Sequence, residues 1–400
     1  MNTNLLHGKA LAAVPDGANA IRFYDKAIPD FAAAAMDACY GALTSSVAYL
    51  RLAGRLGPCT STYVAFDAGA VRSVFLVERE GTVLKVLNGA IRTEQEEVAR
   101  FADYMFAHWP DIDRICFPGV HMPSLRVPYP CQRALAGEDI VIAFAGAPEA
   151  YTQSLGRNTR KSIKRHATAL AKRHPTARYE VVAGEAVDAR LTGLIADWNR
   201  RRMSGKDKVS AYREDEIGRI TALAARAGMV GTVRIDGRVR AGTVCCRVGD
   251  TCYLAVMGYD SDYDAFSLGL LCNYWTTLEC LRARCGEINL MGGRLPYKYS
   301  LLGESRKYDA VVLYRSRAAL LRNAGDAART ALRGCATTAK FAILDCERRE
   351  DRAARLVTGA IAAWRRSRRG YRQVRKRIFL SIDCMWMAVA VEVAGSVPLP

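Results

Sequence analysis

Apolar positions follow two different periods along the first 145 residues. Apolar side chains every three or four positions indicate helices, and shorter runs rich in β-branched and aromatic residues indicate strands. The elements predicted are, in chain order, a helix over 30–56, strands over 61–66 and 73–87, a helix over 93–109, and strands over 114–118 and 139–144. We therefore expect the first third of the chain to be α/β.

The pattern is clearer between residues 151 and 291. It predicts, in order, a helix over 151–174, a strand over 177–182, helices over 186–203 and 214–227, strands over 230–235, 238–248 and 251–257, a helix from 267 to about 285, and a strand over 287–291. The turns between the three consecutive strands contain Asp236-Gly237 and Gly249-Asp250, pairs that tolerate the positive φ of tight hairpins. These strands are expected to form an antiparallel meander.

The chain from 318 onward has helical composition and contains a basic cluster over 365–377, followed by an apolar run. We divide the chain into an N-terminal arm over 1–19, an α/β half over 20–145, a second α/β half over 146–315 and a basic helical tail over 316–400. A basic segment followed by an apolar one suits peripheral contact with an anionic membrane.

Composition and charge narrow the class of protein. Half of the 400 residues are apolar, which excludes a disordered chain. The net charge is +18, and it is unevenly distributed, with −3 over 1–150 and +21 over 151–400. The later segments therefore favour polyanions, phosphorylated ligands or an anionic membrane surface.

The cysteines and the N-terminus indicate a compartment. The 13 cysteines include no Cys-x-x-Cys pair and no zinc-type spacing with histidine, so we expect no metal site. Reduced thiols in apolar runs suit the cytoplasm. We find neither the apolar core of a signal peptide nor an uncharged span long enough for a bilayer, and the nearest run, 378–394, carries Asp383 and Glu392. The expected location is cytoplasmic, peripheral to the inner face of the membrane.

Two features suit anionic groups. The triplet Ser267-Leu268-Gly269 opens a predicted helix, where free N–H groups and the positive end of the helix dipole converge, and Gly269 leaves room for a phosphate. The predicted helix before it carries a basic stripe at i, i+3, i+4, i+7 and i+8, formed by Arg157, Arg160, Lys161, Lys164 and Arg165. The stripe suits a phosphorylated or anionic acceptor, unless acidic residues of the first segment pair with it. It has no interleaved aromatic residues, which argues against stacking on single-stranded nucleic acid.

At these residues the sequence resembles a known family. Residues 151–161 (YTQSLGRNTRK), 198–201 (WNRR), Tyr259 with 267–271 (SLGLL), and 293–298 (GRLPYK) resemble GNAT-fold acyltransferases of the type associated with cellulose and exopolysaccharide biosynthesis, relatives of FemAB-like peptidyl transferases. The resemblance covers about 139–315. It implies an α/β fold of two tandem GNAT-like halves, the first degenerate, with a mixed, mostly antiparallel sheet, flanking helices and a basic helical C-terminal extension.

The resemblance also implies roles for individual residues. Ser267, Leu268 and Gly269 would hold the pyrophosphate of the co-substrate acyl-coenzyme A, although the family usually has proline where Leu268 stands. The backbone at Leu254, Val256 and Met257 would pair with the pantetheine arm. Tyr297 and Lys298 are the expected catalytic residues, with the Tyr297 phenol protonating the departing thiolate. The expected substrate contacts are Arg157, Arg160, Lys161, Lys164, Trp198 and Tyr259.

One departure from the family leaves the function open. The stretch before Tyr297-Lys298 is usually acidic, whereas Asn289, Arg294 and Leu295 stand here. The first hypothesis is acyl transfer to an amine or hydroxyl of a small-molecule or glycolipid acceptor, such as a cell-envelope polysaccharide or lipid precursor. The alternatives are a FemAB-like ligase that uses aminoacyl-tRNA, for which the positive charge of 151–400 would be the footprint, or a non-catalytic envelope-assembly module.

Overall fold

The computed structural model describes residues 20–204 and 212–348. The chain divides into two compact units with the boundary between Ala331 and Leu332. The predicted arm over 1–19 and the basic cluster over 365–377 lie outside the described residues. Within the described ranges, no helix is both long enough and apolar enough to cross a membrane.

Thirteen strands of the described chain join in one mixed sheet. They are β1 (Ile21–Tyr24), β2 (Ser61–Asp67), β3 (Ala70–Glu80), β4 (Val83–Val86), β5 (Ile91–Arg92), β6 (Arg114–His121), β7 (Cys131–Ala143), β8 (Arg178–Ala183), β9 (Gly228–Ile235), β10 (Arg238–Val248), β11 (Thr251–Tyr259), β12 (Glu287–Asn289) and β13 (Glu304–Tyr314). Their order is β1-β2-β3-β4-β6-β13-β7-β12-β11-β10-β9-β8, and β5 pairs with β6.

Helices cover both faces of this sheet, so apolar clusters lie on either side of it. The described helices are α1 (Phe31–Tyr40), α2 (Val47–Leu52), α3 (Gln95–His108), α4 (Pro148–Ser154), α5 (Arg157–Arg173), α6 (Ala189–Ser204), α7 (Glu214–Ala227), α8 (Leu268–Arg282), α9 (Pro296–Ser300), α10 (Arg317–Arg322) and α11 (Ala324–Arg348). A short 3₁₀ turn, Ser261–Phe266, precedes α8.

The two halves repeat one order of elements: a strand, two helices, a three-stranded antiparallel meander, a helix and a strand parallel to the meander's last strand. In the first half these are β1, α1 and α2, β2–β4, α3 and β6; in the second they are β8, α6 and α7, β9–β11, α8 and β12. The predicted meander is confirmed. So is the expected fold class, a mixed α/β sheet in two tandem halves.

The halves exchange their last strands. β13, which follows the second half, pairs with β6 of the first, and β7, which follows the first half, pairs with β12 of the second. β7 and β13 also pair with each other over most of their length. The predicted boundary at 145/146 thus lies just after a strand that completes the sheet of the second half, and the boundary itself stays a prediction.

Two predicted helices are interrupted. The helix expected over 30–56 ends as α1 at Gly41, whose φ is +52°, and a Cβ there would lie 3.1 Å from the Thr251 hydroxyl. The helix expected over 151–174 becomes α4 and α5, because Leu155 and Gly156 adopt extended ψ values of 143° and 144°. Each break lets the following helix take a new direction against the sheet.

Candidate active site

A cleft opens where β11 and β12 separate. The two parallel strands pair from Thr251 with Glu287 to Tyr253 with Asn289, after which β12 ends and β11 continues to Tyr259. On its other edge β11 stays paired with β10, with a bulge at which Val256 pairs with Val244 and Leu254 with Cys245. The bulge increases local twist and bends the strand. Over Leu254–Met257, β11 is no longer paired with β12, and the pairing of this stretch with pantetheine stays a prediction.

The corresponding place in the first half is filled. Beyond β4, the short strand β5 pairs with β6, at Ile91 with Val120. The buried Asn88 side chain accepts a hydrogen bond from the Leu76 N–H (2.8 Å) and donates to the Val74 carbonyl (3.1 Å). β5 therefore occupies the edge of β6 at the place that the second half leaves parted, and the Asn88 amide bonds to β3 where the pairing with β4 ends.

Two side chains contact the parted stretch of β11. The Tyr212 hydroxyl donates to the Ala255 carbonyl at 2.6 Å, and the Asn199 Nδ2 on α6 donates to the Met257 carbonyl at 2.7 Å. α6 lies tightly on this strand, since a Cβ on Gly258 would be 2.0 Å from the Ile195 carbonyl. A ligand that lay along this edge would have to share or displace these contacts. The sequence did not single out Asn199 or Tyr212, although Asn199 stands inside the quoted motif at 198–201.

The N-terminus of α8 lies beside the far end of β11. Ser267 caps it in the left-handed conformation (φ +50°) without a capping hydrogen bond from its side chain. A Cβ on Gly269 would lie 2.8 Å from Cε1 of Tyr259 and 3.5 Å from the Met257 sulfur. Gly269 therefore allows close contact between the helix and the strand, and its predicted role, leaving room for a phosphate, stays a prediction.

α5 contacts this helix terminus through the face opposite its basic stripe. His166 on α5 has its Nε2 3.4 Å from the Ser267 hydroxyl, and Arg165 Nη2 lies 3.2 Å from the same nitrogen. The stripe members Arg157, Arg160, Lys161, Lys164 and Arg165 are all exposed. No salt bridge joins any of them to an acidic side chain in the described part of the chain, so the acidic pairing considered above is not found there.

Aromatic and cationic side chains line the cleft near α9. The Arg202 guanidinium lies over the Tyr259 ring, 5.7 Å from its centroid. Burial raises the pKa of Tyr297 to about 12, and Arg202 opposes that rise. Burial, reinforced by the neighbouring Tyr297, also raises the pKa of Tyr212 to about 12. Both phenols are therefore protonated at neutral pH and able to donate a proton.

Lys298 lies deeper than its neighbour. It is 3% exposed, and its ammonium donates to the carbonyls of Leu290 (2.7 Å), Met291 (2.9 Å) and Gly292 (2.7 Å). Its three N–H donors are therefore all used in closing the turn after β12. The catalytic role of Lys298 stays a prediction, and in this conformation the side chain offers no free donor to an acceptor.

Carboxylates reach this turn from a different part of the chain. Glu138 on β7 forms a two-point pair with Arg294, with Nε–Oε1 at 2.5 Å and Nη2–Oε2 at 2.7 Å. The next residue, Asp139, accepts a hydrogen bond from Asn289 Nδ2 at 3.0 Å, and burial raises its pKa. The acidic residues missing before Tyr297 in the sequence are thus supplied about 150 positions earlier, through the exchanged strand.

Two predicted substrate contacts lie in the core or against it. Trp198 is buried in the apolar cluster that α6 and α7 form on the sheet. Tyr259 lies between Gly269 and Arg202, at the edge of the cleft. Among the described residues, no group of three or more His, Cys, Asp or Glu side chains is placed to hold a metal ion.

The parallel strands β11 and β12 part from each other, and the helix that connects them begins beside the end of β11, which is the arrangement of a GNAT-type fold. A family model described as an acetyltransferase (GNAT) domain matches residues 157–299. The match includes α5, the cleft strands, α8 and most of α9.

Solved structures match the chain at low identity, and the match to FemX shows the fold. FemX is 10% identical, with 69% of this chain and 94% of that chain covered and a TM-score of 0.50. A conserved protein of unknown function from Bacteroides thetaiotaomicron is 15% identical, with 70% and 95% covered and a TM-score of 0.47. A tandem GNAT protein from the clavulanic acid biosynthesis pathway is 12% identical, with 73% and 98% covered and a TM-score of 0.34. No curated protein matches the chain.

Proposed function

We propose that the chain transfers an acyl group from acyl-coenzyme A to an amine or hydroxyl acceptor. The observation that carries the proposal is the parting of β11 and β12 beside the N-terminus of α8. A thioester-bearing arm fits the gap, and the phosphates of the same molecule fit the helix terminus beside His166.

The basic stripe lies on a different face of α5. At 100° per residue, the stripe is centred about 180° around the helix from His166, which contacts Ser267. We therefore keep the stripe as the proposed contact for a phosphorylated or anionic acceptor.

The chemistry at the acyl carbon needs two proton movements. The acceptor nitrogen or oxygen attacks the thioester carbonyl and loses a proton, the carbon–sulfur bond breaks, and the departing thiolate gains a proton. Tyr297 is suited to supply that proton, since its phenol is protonated at neutral pH and its hydroxyl has no hydrogen-bond partner among the described residues. Asn199 and Tyr212 stabilise the bulged strand β11 by donating hydrogen bonds to its Met257 and Ala255 carbonyls.

For the acceptor we keep the proposal of a cell-envelope polysaccharide or lipid precursor, which rests on the sequence resemblance alone. Peripheral membrane contact through the basic cluster over 365–377 is proposed on the same footing, from the sequence.

The test is calorimetry with coenzyme A. His166→Glu should weaken coenzyme A binding by 10-fold or more, since it puts a negative charge beside the N-terminus of α8, where the pyrophosphate is proposed to lie. The matched control is Arg190→Glu, which introduces the same carboxylate at an exposed position at the start of α6. Equal affinity of His166→Glu and the control would remove this helix terminus from the donor site. Absence of coenzyme A binding by the parent would refute the proposed function.

The aminoacyl-tRNA hypothesis is kept as a second candidate because the exposed stripe is also a suitable surface for a phosphate backbone. Binding of tRNA should then weaken steeply with salt, by roughly 0.9 logarithmic units per phosphate contact for each logarithmic unit of salt. Failure to retain tRNA at low salt would exclude it.

A further inference from the structure

Asn273 on α8 is a buried polar side chain without a partner. It has 0% exposure, and neither its Nδ2 nor its Oδ1 hydrogen-bonds to any described residue. Buried amides in folded proteins are normally paired, because an unpaired one loses its bonds to water without replacement. Such an amide in the middle of a helix therefore needs an explanation.

The neighbours of Asn273 along α8 fix the direction in which it points. Gly269, one turn earlier, contacts Tyr259 and Met257 of β11. On one flank, Thr276 shares a 2.6 Å hydrogen bond with Thr243 of β10. At 100° per residue, Asn273 lies about 40° from Gly269, on the flank away from Thr276.

The opposite flank of α8 faces α4. The Thr277 hydroxyl contacts Tyr151, and the Tyr274 hydroxyl lies 2.9 Å from that of Thr152. Asn273 therefore points toward the edge of β11 that faces β12. On the surface of α8 it lies between Gly269, which contacts β11, and Tyr274, which contacts α4. At this level β12 has already ended, so this edge of β11 has no strand partner.

We propose that the Asn273 side-chain amide binds an amide of the pantetheine arm of the acyl donor. This inference rests on the proposed function and adds a specific contact to it. The arm has secondary amides, each with one N–H and one C=O, and the Asn273 side chain offers both a donor and an acceptor. One amide–amide contact satisfies both of its unpaired atoms, which no phosphate or purely apolar acyl chain would do.

The inference predicts opposite effects on stability and on binding. Asn273→Leu has nearly the same size and removes the unpaired polar atoms, so the melting temperature without ligand should rise by about 2 °C or more. The same variant should bind coenzyme A about 10-fold more weakly. It should bind adenosine 3′,5′-bisphosphate, which lacks the pantetheine arm, as well as the parent does. If the leucine variant does not fold, Asn273→Ser should show the same selective loss for coenzyme A.

Thr276→Val is the matched control, because it removes a hydrogen-bonded hydroxyl from the other flank of the same helix. It should lower the melting temperature and leave the ratio of the two affinities unchanged.

Calorimetry with both ligands separates the outcomes. Parent-like coenzyme A affinity in Asn273→Leu, or equal losses for both ligands, would overturn the assignment of Asn273 while leaving the donor site in place. A parent that binds neither ligand would refute the proposed function and this inference together.

Discussion

The buried ion pair between Glu138 and Arg294 should be among the most sensitive points of the second half. The two side chains are 1% and 4% exposed, and the Ser305 hydroxyl donates to the same carboxylate at 2.7 Å. Burial alone would raise the pKa of Glu138, but the hydrogen bonds from Arg294 and Ser305 hold that pKa below its ordinary value. The pair joins the turn after β12 to β7, and so fixes the side of the cleft that carries α9.

Removing one partner leaves the other charge buried and unpaired, which typically costs about 3–5 kcal/mol. Arg294→Gln or Glu138→Gln should therefore lower the free energy of unfolding by that amount and the melting temperature by about 10 °C. Replacing both by apolar side chains (E138L/R294M) removes the uncompensated charge, and should lie within about 2 kcal/mol of the parent. Urea unfolding of the four proteins measures all three differences.

The control is the exposed pair of Arg178 and Glu180, whose side chains are 67% and 34% exposed. Arg178→Gln should cost less than about 1 kcal/mol, because solvent screens the charges. A cost for Arg294→Gln no greater than that of the control, or a double variant as unstable as the sum of the single ones, would refute the reasoning.

Four further substitutions test other parts of the site. Tyr297→Phe should lower kcat about 100-fold with coenzyme A affinity unchanged; a parent-like rate would make Tyr297 structural. Tyr212→Phe frees the Ala255 carbonyl and should tighten coenzyme A binding several-fold in calorimetry, whereas weaker binding would show that the contact supports the site. Gly269→Ala should lower the melting temperature, because its Cβ meets the Tyr259 ring, and a parent-like temperature would contradict the packing. Burial lowers the pKa of His121 to about 4, so the unfolded chain binds more protons than the folded chain below pH 6.5. The free energy of unfolding should therefore fall by about 2 kcal/mol as the pH drops from about 6.5 to 4. His121→Gln should remove this pH dependence, which urea titrations at each pH measure.

The elements nearest the site were predictable from local sequence patterns. The meander of β9, β10 and β11 was predictable because Asp236-Gly237 and Gly249-Asp250 determine its two turns within a few residues. The start of α8 was equally local, since Ser267 directly precedes its first apolar residue. The exchange of β7 and β13 was not predictable, because strand pairing over 150 positions leaves no periodic signal.

The difference between local and long-range signals also explains which site residues could not be found from the sequence. Asn289 and Arg294 depart from the acidic pattern of the family that the sequence resembles, and no local pattern connects them with Asp139 and Glu138. Lys298 was predicted to be catalytic as part of a short motif. Only the packed turn shows that its ammonium closes the backbone after β12.

The contrast between the halves explains why one cleft is suited to a ligand and the other is not. Both contain a meander followed by a helix and a parallel strand, so both could part their strands at the same place. In the first half, β5 pairs with β6 beyond the end of β4, and this pairing stabilises the fold where a gap would otherwise lie. In the second half, the carbonyls of Ala255 and Met257 on β11 accept hydrogen bonds from Tyr212 and Asn199, and the buried amide of Asn273 is unpaired. An unpaired amide therefore lies beside the gap in the sheet, as expected where a polar arm completes the structure.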